Sequence, residues 1–180
     1  MNDARTPGQE PYGATPARPW VRAYVGLGSN LGDPAAQVTR ALCALDEIPA
    51  SRCIARSGLY RSAPLGNAQQ PHYINAVAAL DTRLSARELL RHLQVIEERQ
   101  GRVRGPERWT PRTLDLDLLL YGELMLNENS LTVPHPGLHQ RPFVLYPLRE
   151  LAPDDLIVPG RGSLRALLAA CPAQGLERLE

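Results

Sequence analysis

Apolar and polar residues alternate strictly from Leu114 to Leu118, Leu-Asp-Leu-Asp-Leu, a period of two that predicts a strand. Side chains leave a strand on alternate faces, so Leu114, Leu116, Leu118 and Leu120 are expected on one face and Asp115 and Asp117 on the other. Further strands are predicted over 21–27, 51–60, 73–80 and 131–133, with loops over 61–71 and 101–112 and a turn at 127–129. Helical spacing links Val38, Ala41, Leu42, Leu45 and Ile48; Asp33 is the natural N-cap, Pro34 the first helical residue, and Pro49 the stop. Ser85 and Glu88 form a capping box for a second helix whose core stripe is Leu89, Leu93 and Ile96, with Gly101 at its C-terminal end. Residues 144–151 read as partly helical and 163–170 as a short helix. The order strand, helix, strand, strand, helix, strand predicts an α+β fold. Its core is a ferredoxin-like βαββαβ unit with a β-rich extension, short C-terminal helices and a sheet covered by helices.

Composition narrows this picture. The chain has 180 residues, 43% of them hydrophobic, enough for one globular core. Residues 1–20, rich in Pro, Gly and polar side chains, read as a disordered extension, and 21–180 as a single domain. The net charge of +1 lacks the basic footprint of a nucleic-acid or membrane-surface protein. There is no apolar run of membrane-spanning length and no secretory signal. The three cysteines lack metal-ligand spacing and read as free thiols, which places the expected location in the cytoplasm. All 20 basic residues are arginine, so a P-loop and Schiff-base chemistry are excluded for want of lysine. The Gly26, Gly28, Gly32 spacing is not the dinucleotide fingerprint, and these glycines read as a tight turn from strand into helix.

The Asp pair carries the candidate chemistry. At roughly 6 Å and an effective dielectric near 20, two carboxylates repel by about 3 kcal/mol. A pair of divalent cations removes that repulsion, and an oxygen-only ligand set favours Mg²⁺. Arg102, Arg104, Arg108 and Arg112, just upstream, offer guanidinium groups suited to phosphate. The physical reading is a Mg²⁺-dependent nucleoside triphosphate site. A solvent-facing Asp-x-Asp on an edge strand, beside a solvated arginine loop, gives the same letters. Tyr73 and Asn75 share a strand face and could stack on and hydrogen-bond a flat heterocycle, or be a cross-strand pair of no chemical role. Gln94 and Glu97 read, in isolation, as helix-surface residues. His135 and His139 have a zinc-like i,i+4 spacing, but Pro136 and Gly137 argue against the helix it requires.

Four stretches taken together resemble the 6-hydroxymethyl-7,8-dihydropterin pyrophosphokinase family: GLGSNLGDP (26–34), YRSAPLGNAQQPHYINA (60–76), GRVRGPERWTPRTLDLDLLLYG (101–122) and LTVPHPGLHQRPFVLYPL (131–148). The resemblance implies transfer of pyrophosphate from ATP to the pterin hydroxymethyl group, with release of AMP, in folate biosynthesis. It implies two Mg²⁺ ions held by Asp115 and Asp117, and Arg102 and Arg112 nearest the transferred phosphates. The implied pterin set is Ser62, Ala63, Leu65, Tyr73, Asn75, Trp109 and Phe143. The implied ATP set is Gln94, Glu97, Arg104, Arg108, Trp109, Arg112, Leu118, Thr132, His135 and Arg141. The loops 61–71 and 101–112 resemble the family's lids. Gly105, Pro106, Thr110 and Pro136 depart from its usual pattern. ATP and the pterin are the expected partners, with no nucleic acid and no membrane, and the expected assembly is a monomer.

Two other classes share these features. A ferredoxin-like binding module could hold a nucleotide without chemistry and without Mg²⁺. An Asp-x-Asp nucleotidyl or glycosyl transferase would release pyrophosphate or a nucleoside diphosphate instead of AMP.

Overall fold

The computed structural model describes residues 18–64, 70–102 and 112–179. In chain order its elements are β1 (Val21–Ser29), α1 (Pro34–Ala44), β2 (Ser51–Arg56), β3 (Tyr60–Ser62), β4 (Tyr73–Thr82), α2 (Ala86–Arg99) and β5 (Asp115–Tyr121). These are followed by β6 (Leu126–Glu128), β7 (Leu131–Val133), α3 (Pro142–Arg149), β8 (Ile157–Val158), β9 (Gly162–Ser163), α4 (Leu164–Ala170) and β10 (Leu176–Arg178). The fold is mixed α and β around a six-stranded sheet in the order β10-β3-β4-β1-β5, with β2 also on β4. Every pairing in it is antiparallel. The ribbons β6–β7 and β8–β9 stand apart.

Local chemistry sets the helices as their sequence predicts. The Asp33 carboxylate accepts from the Ala36 N–H, with Pro34 at the first turn of α1. The Ser85–Glu88 capping box closes both ways at the start of α2. The sheet is covered on both faces. Val38, Ala41, Leu89, Leu93 and Ile96 of the first two helices pack with Leu114, Leu116 and Leu118 on one side. Leu145, Leu148, Leu164 and Leu167 of α3 and α4 pack with Tyr24, Val77 and Leu120 on the other.

The sheet departs from the sequence pattern in four places. Pairing steps from Val25↔Leu118 to Tyr24↔Leu120, so Leu119 is a bulged residue. An extra residue reverses which face follows. Leu120 therefore packs with Leu119 on the α3/α4 side, not with Leu114, Leu116 and Leu118 as alternation predicts. The predicted strand 51–60 is two strands, because at Ser57 the side chain replaces half of the ladder: its N–H still donates to Val77 O, but the Val77 N–H goes to Ser57 Oγ, which itself donates to Gly58 O. Pairing restarts at Tyr60↔Asn75, so Arg61 and Ser62 are strand residues and not part of a loop. Gly26 and Gly28 lie within β1, and the turn they were expected to make falls at Gly32, with φ 61°. The predicted turn at 127–129 sits one residue later, since Asn127 and Glu128 pair in β6.

Candidate active site

The polar face of β5 opens into a cavity of about 350 Å³ under the N-terminal end of α3. Sheet register explains what meets there. Gly28 lies between Asn75 of β4 and Asp115 of β5, and Gly26 lies between Val77 and Asp117. The floor between the aromatic-amide half and the carboxylate half is thus the bare backbone of β1. A Cβ on Gly28 would stand 3.4 Å from Asn75 Oδ1, and one on Gly26 would stand 3.3 Å from the bulged Leu119.

On the amide half, Asn75 Nδ2 donates to Ser62 Oγ (3.0 Å) and to Tyr60 O (3.3 Å). Two acceptors on the nitrogen fix the amide orientation and leave Oδ1 to face Gly28 as an acceptor. Ser62, Ala63, Tyr73 and Phe143 line the same half. Burial pushes the Tyr73 phenol up, so it stays protonated.

On the other half, Asp115 is paired twice, to Arg102 Nη1 and Arg112 Nη1, each at 2.6 Å. Arg102 also pairs with Glu97, whose Oε1 accepts from the Leu116 N–H at 2.8 Å. Leu116 stands on the edge strand, so the Glu97 carboxylate satisfies an outward N–H that no neighbouring strand reaches. Glu97 is therefore 2% exposed, not the helix-surface residue its sequence context predicts. Asp117 points into the cavity with 38% of its side chain exposed. Among the described residues, His135 Nε2 at 3.6 Å and Arg141 Nη1 at 3.9 Å face its Oδ2. Enclosure by protein pushes its carboxyl up to about 7, and the charge of Asp115 adds to the push while Arg141 opposes it. Burial, with Arg141 alongside, holds His135 down at about 4, so it is neutral near pH 7. The Gly137 N–H donates to its Nδ1, which leaves the proton on Nε2, toward Asp117.

The cavity thus gathers Ser62, Ala63, Tyr73, Asn75, Phe143, Arg112, Asp115, Asp117, His135 and Arg141. Arg102 and Glu97 stand behind Asp115. Gln94 and Thr132 are not on the cavity wall, and Leu118 has its side chain in the α1/α2 core. Leu65, Arg104, Arg108 and Trp109, with Gly105, Pro106 and Thr110, lie outside the described residues. No group of three or more His, Cys, Asp or Glu residues suited to a metal ion occurs among the described residues. Two residues outside the expected site sets are prominent. Gly28 supplies the floor; two glycines two apart in a strand are the signal that could have placed them on one face. Asn30, 1% exposed, ties the chain ends beside the cavity together. Its Oδ1 accepts from the Arg112 N–H at 2.8 Å, its own N–H donates to Arg112 O at 3.1 Å, and its Nδ2 faces Gln70 Oε1 and Pro71 O.

The cavity thus sets adjacent carboxylates with arginines around them on one half and an amide-aromatic wall on the other, across one antiparallel sheet. The family model for 7,8-dihydro-6-hydroxymethylpterin-pyrophosphokinase matches residues 24–153. The 2-amino-4-hydroxy-6-hydroxymethyldihydropteridine pyrophosphokinase of Pseudomonas aeruginosa is 55% identical over 158 residues, which is 88% of this chain and 96% of that one. The protein of the same name from Methylorubrum extorquens is 43% identical, over 89% of this chain and 99% of that one. The crystal structure of wild-type Plasmodium falciparum HPPK-DHPS with pterin and p-hydroxybenzoate shares the fold with TM-score 0.68 at 13% identity. It covers 91% of this chain and 47% of that one, so this chain spans about half of it. The chain belongs to the 7,8-dihydro-6-hydroxymethylpterin-pyrophosphokinase family.

Proposed function

We propose that the cavity holds ATP beside 6-hydroxymethyl-7,8-dihydropterin and that the chain transfers pyrophosphate between them. The products are the pterin diphosphate and AMP, a step of tetrahydrofolate biosynthesis. One observation carries the reading: the cross-strand row Asn75–Gly28–Asp115, which sets a heterocycle-reading amide and a phosphate-handling carboxylate across one bare floor. Asn75 Oδ1 is aimed to accept from the ring's amino edge, with Tyr73 and Phe143 flanking the ring faces and Ser62, Ala63, Leu65 and Trp109 completing the pocket.

Release of AMP requires the bond from the β-phosphorus to the α–β bridging oxygen to break as the hydroxymethyl oxygen bonds to that phosphorus. Such transfer asks the protein for alignment and charge more than for covalent chemistry. Arg102 and Arg112 face the transferred phosphates. Gln94, Arg104, Arg108, Thr132, His135 and Arg141 hold the rest of the nucleotide, and Glu97 acts from behind by holding Arg102. Leu118 contributes through its backbone, because residues two apart in a strand turn their N–H and C=O to the same edge, and that of Leu116 faces outward to Glu97. The carboxylates fit a divalent cation: both carry oxygen donors, and Asp117, its carboxyl raised first by burial and then by the charge of Asp115, is a group whose ionised form a cation would stabilise. Bound Mg²⁺, two ions in this reading, supplies charge neutralisation for the phosphates, with Asp115 and Asp117 as its protein ligands.

The same reading takes residues 21–180 as one pyrophosphokinase domain, working as a monomer in the cytoplasm. It takes β1-α1-β2-β4-α2-β5 as a ferredoxin-like core, which the strand order β5-β1-β4-β2 supports. No helix among the described residues is long and apolar enough to cross a membrane. The test is AMP formation by purified protein with ATP, Mg²⁺ and the pterin, beside an Asp117→Ala control. AMP that needs both pterin and Mg²⁺ and disappears in the control is expected. ADP, a pyrophosphate product, or nucleotide binding indifferent to Mg²⁺ would overturn it.

A further inference from the structure

The C-terminal strand and the end of α3 meet at a carboxylate outside the cavity. Glu150 follows the last residue of α3. Its Oε1 accepts from the Tyr60 hydroxyl at 2.5 Å and from Arg178 Nε at 2.8 Å, and its Oε2 accepts from the Gly58 N–H at 2.7 Å. One side chain thus joins α3, the segment entering β3, and β10. Neither Glu150, Gly58 nor Arg178 lines the cavity. The family match ends at residue 153, so β10 lies beyond it.

Two chains of contact run from Glu150 to the heterocycle wall. Along the first, Tyr60 pairs in register with Asn75 on one side and Arg178 on the other. The Tyr60 carbonyl and the Ser62 hydroxyl are the two acceptors that orient the Asn75 amide. β3 has only three residues, and so does its outer partner β10. Ladders that short hold a register weakly. Arg61–Glu177 and the Leu179 N–H on Leu59 O add to the ladder, and Glu150 adds a hydrogen-bonded tie to the end of a helix that also packs against β3. Along the second, α3 is a rigid body with Phe143 at its cavity end and Glu150 just past its other end. Burial, then the Glu150 contact, pushes the Tyr60 phenol up to about 12, so it remains a donor at any physiological pH.

We propose that Glu150 is a positioning residue for the pterin: through Tyr60 and Gly58 it fixes the register of β3 and the seat of α3, and so the aim of Asn75 Oδ1 and the distance of Phe143. Asp115 and Asp117 stand on β5, which Glu150 does not touch; on the carboxylate half only Arg141, the N-cap of α3, shares the seat that Glu150 holds. The proposal rests on the pyrophosphokinase reading.

Steady-state AMP formation by the full chain tests it, with each substrate varied in turn, for Glu150→Ala, Glu150→Gln and Tyr60→Phe. The pterin KM is expected to rise about tenfold in Glu150→Ala, the loss of a charge-assisted contact. The ATP KM should rise clearly less than the pterin KM, since only Arg141 links the latch to the nucleotide, and Glu150→Gln, which still offers an oxygen acceptor, should recover much of the loss. Binding of a non-hydrolysable ATP analogue checks the fold. Should Glu150→Ala fail that check, Tyr60→Phe, which removes one hydroxyl, decides by the same ratio of the two KM values. An unchanged pterin KM, or equal rises for both substrates, overturns the latch. Wild-type protein that makes no AMP overturns the pyrophosphokinase reading instead, and the latch with it.

Discussion

The two halves of the cavity are finished to different degrees. On the pterin side the Asn75 amide is held by Ser62 Oγ and Tyr60 O, and β3 beneath it is tied to Glu150. On the side proposed for the phosphates, Asp117 shares its strand face with Asp115; among the described residues the neutral His135 stands 3.6 Å and the Arg141 guanidinium 3.9 Å from its Oδ2. The difference is the one the proposed ligands would require. A rigid neutral heterocycle is best met by a preformed surface, because ordering side chains on binding costs affinity. A polyphosphate with its cations brings charges of both signs. The site that receives them must leave oxygen donors open and tolerate repulsion until they arrive.

The largest expected effect breaks the phosphate half. Asp115→Ala and Asp117→Ala should each lower AMP formation by about 10²–10³-fold or more, while pterin binding without nucleotide changes little; stopped-time AMP assays and pterin titration separate the two. Comparable loss of pterin binding would show that the halves are not independent. Asn75→Ala breaks the other half. Loss of one aimed acceptor should weaken pterin binding about 10–100-fold and leave ATP-analogue affinity nearly unchanged, read by parallel titrations.

Gly28→Val acts on the shared floor. Its Cβ would sit 3.4 Å from Asn75 Oδ1, so the fold should persist while both substrates weaken, about tenfold each; kinetics beside a thermal melt would show it. A loss confined to one substrate would mean that the floor belongs to that half alone.

The smallest effect sharpens the claim of stored repulsion. Asp117 has a folded-state pKa of about 7, above the model-compound value of 3.8. Between those values the unfolded chain gives up the proton first, so the group costs stability increasingly as pH rises from 4 to 7 and by a constant amount above that. Asp117→Asn should therefore match the wild type near pH 4 and melt higher at pH 8. Because the side chain is more than a third exposed, solvent screening holds the gain to about 1 kcal/mol or less, roughly 2–4 °C. Added Mg²⁺ should raise the wild-type midpoint and leave the variant's almost unmoved. A variant that melts at or below the wild type at pH 8 would remove the repulsion from the account.

Much of this was legible in the sequence. The Leu-Asp-Leu-Asp-Leu alternation sets Asp115 and Asp117 on the face opposite Leu114 and Leu116, as observed. Tyr73 and Asn75 do share a cavity face. What the sequence hid has a common cause. Leu120 changes side at a bulge, and the bulge is stabilised by Leu119 packing over Gly26 in another strand. Glu97 looks like a surface residue because its partners, Leu116 N–H and Arg102, belong to the next strand and the segment leading to it. Ser57 interrupts its strand by bonding to Val77, twenty residues on.

Contacts between near neighbours in the chain set the local elements: the capped starts of α1 and α2, the strand that carries the carboxylates, and the faces their side chains take. These depend on interactions within a few residues, where spacing and geometry are one statement. Long-range packing, by contrast, puts Gly28 between Asn75 and Asp115, gives Glu97 to an edge N–H, and lets Glu150 join β3 to α3 and β10. Those pairings join residues distant in the chain. They exist because sheet closure and helix packing bring the segments together and leave buried polar groups that must find partners, a demand no local periodicity records.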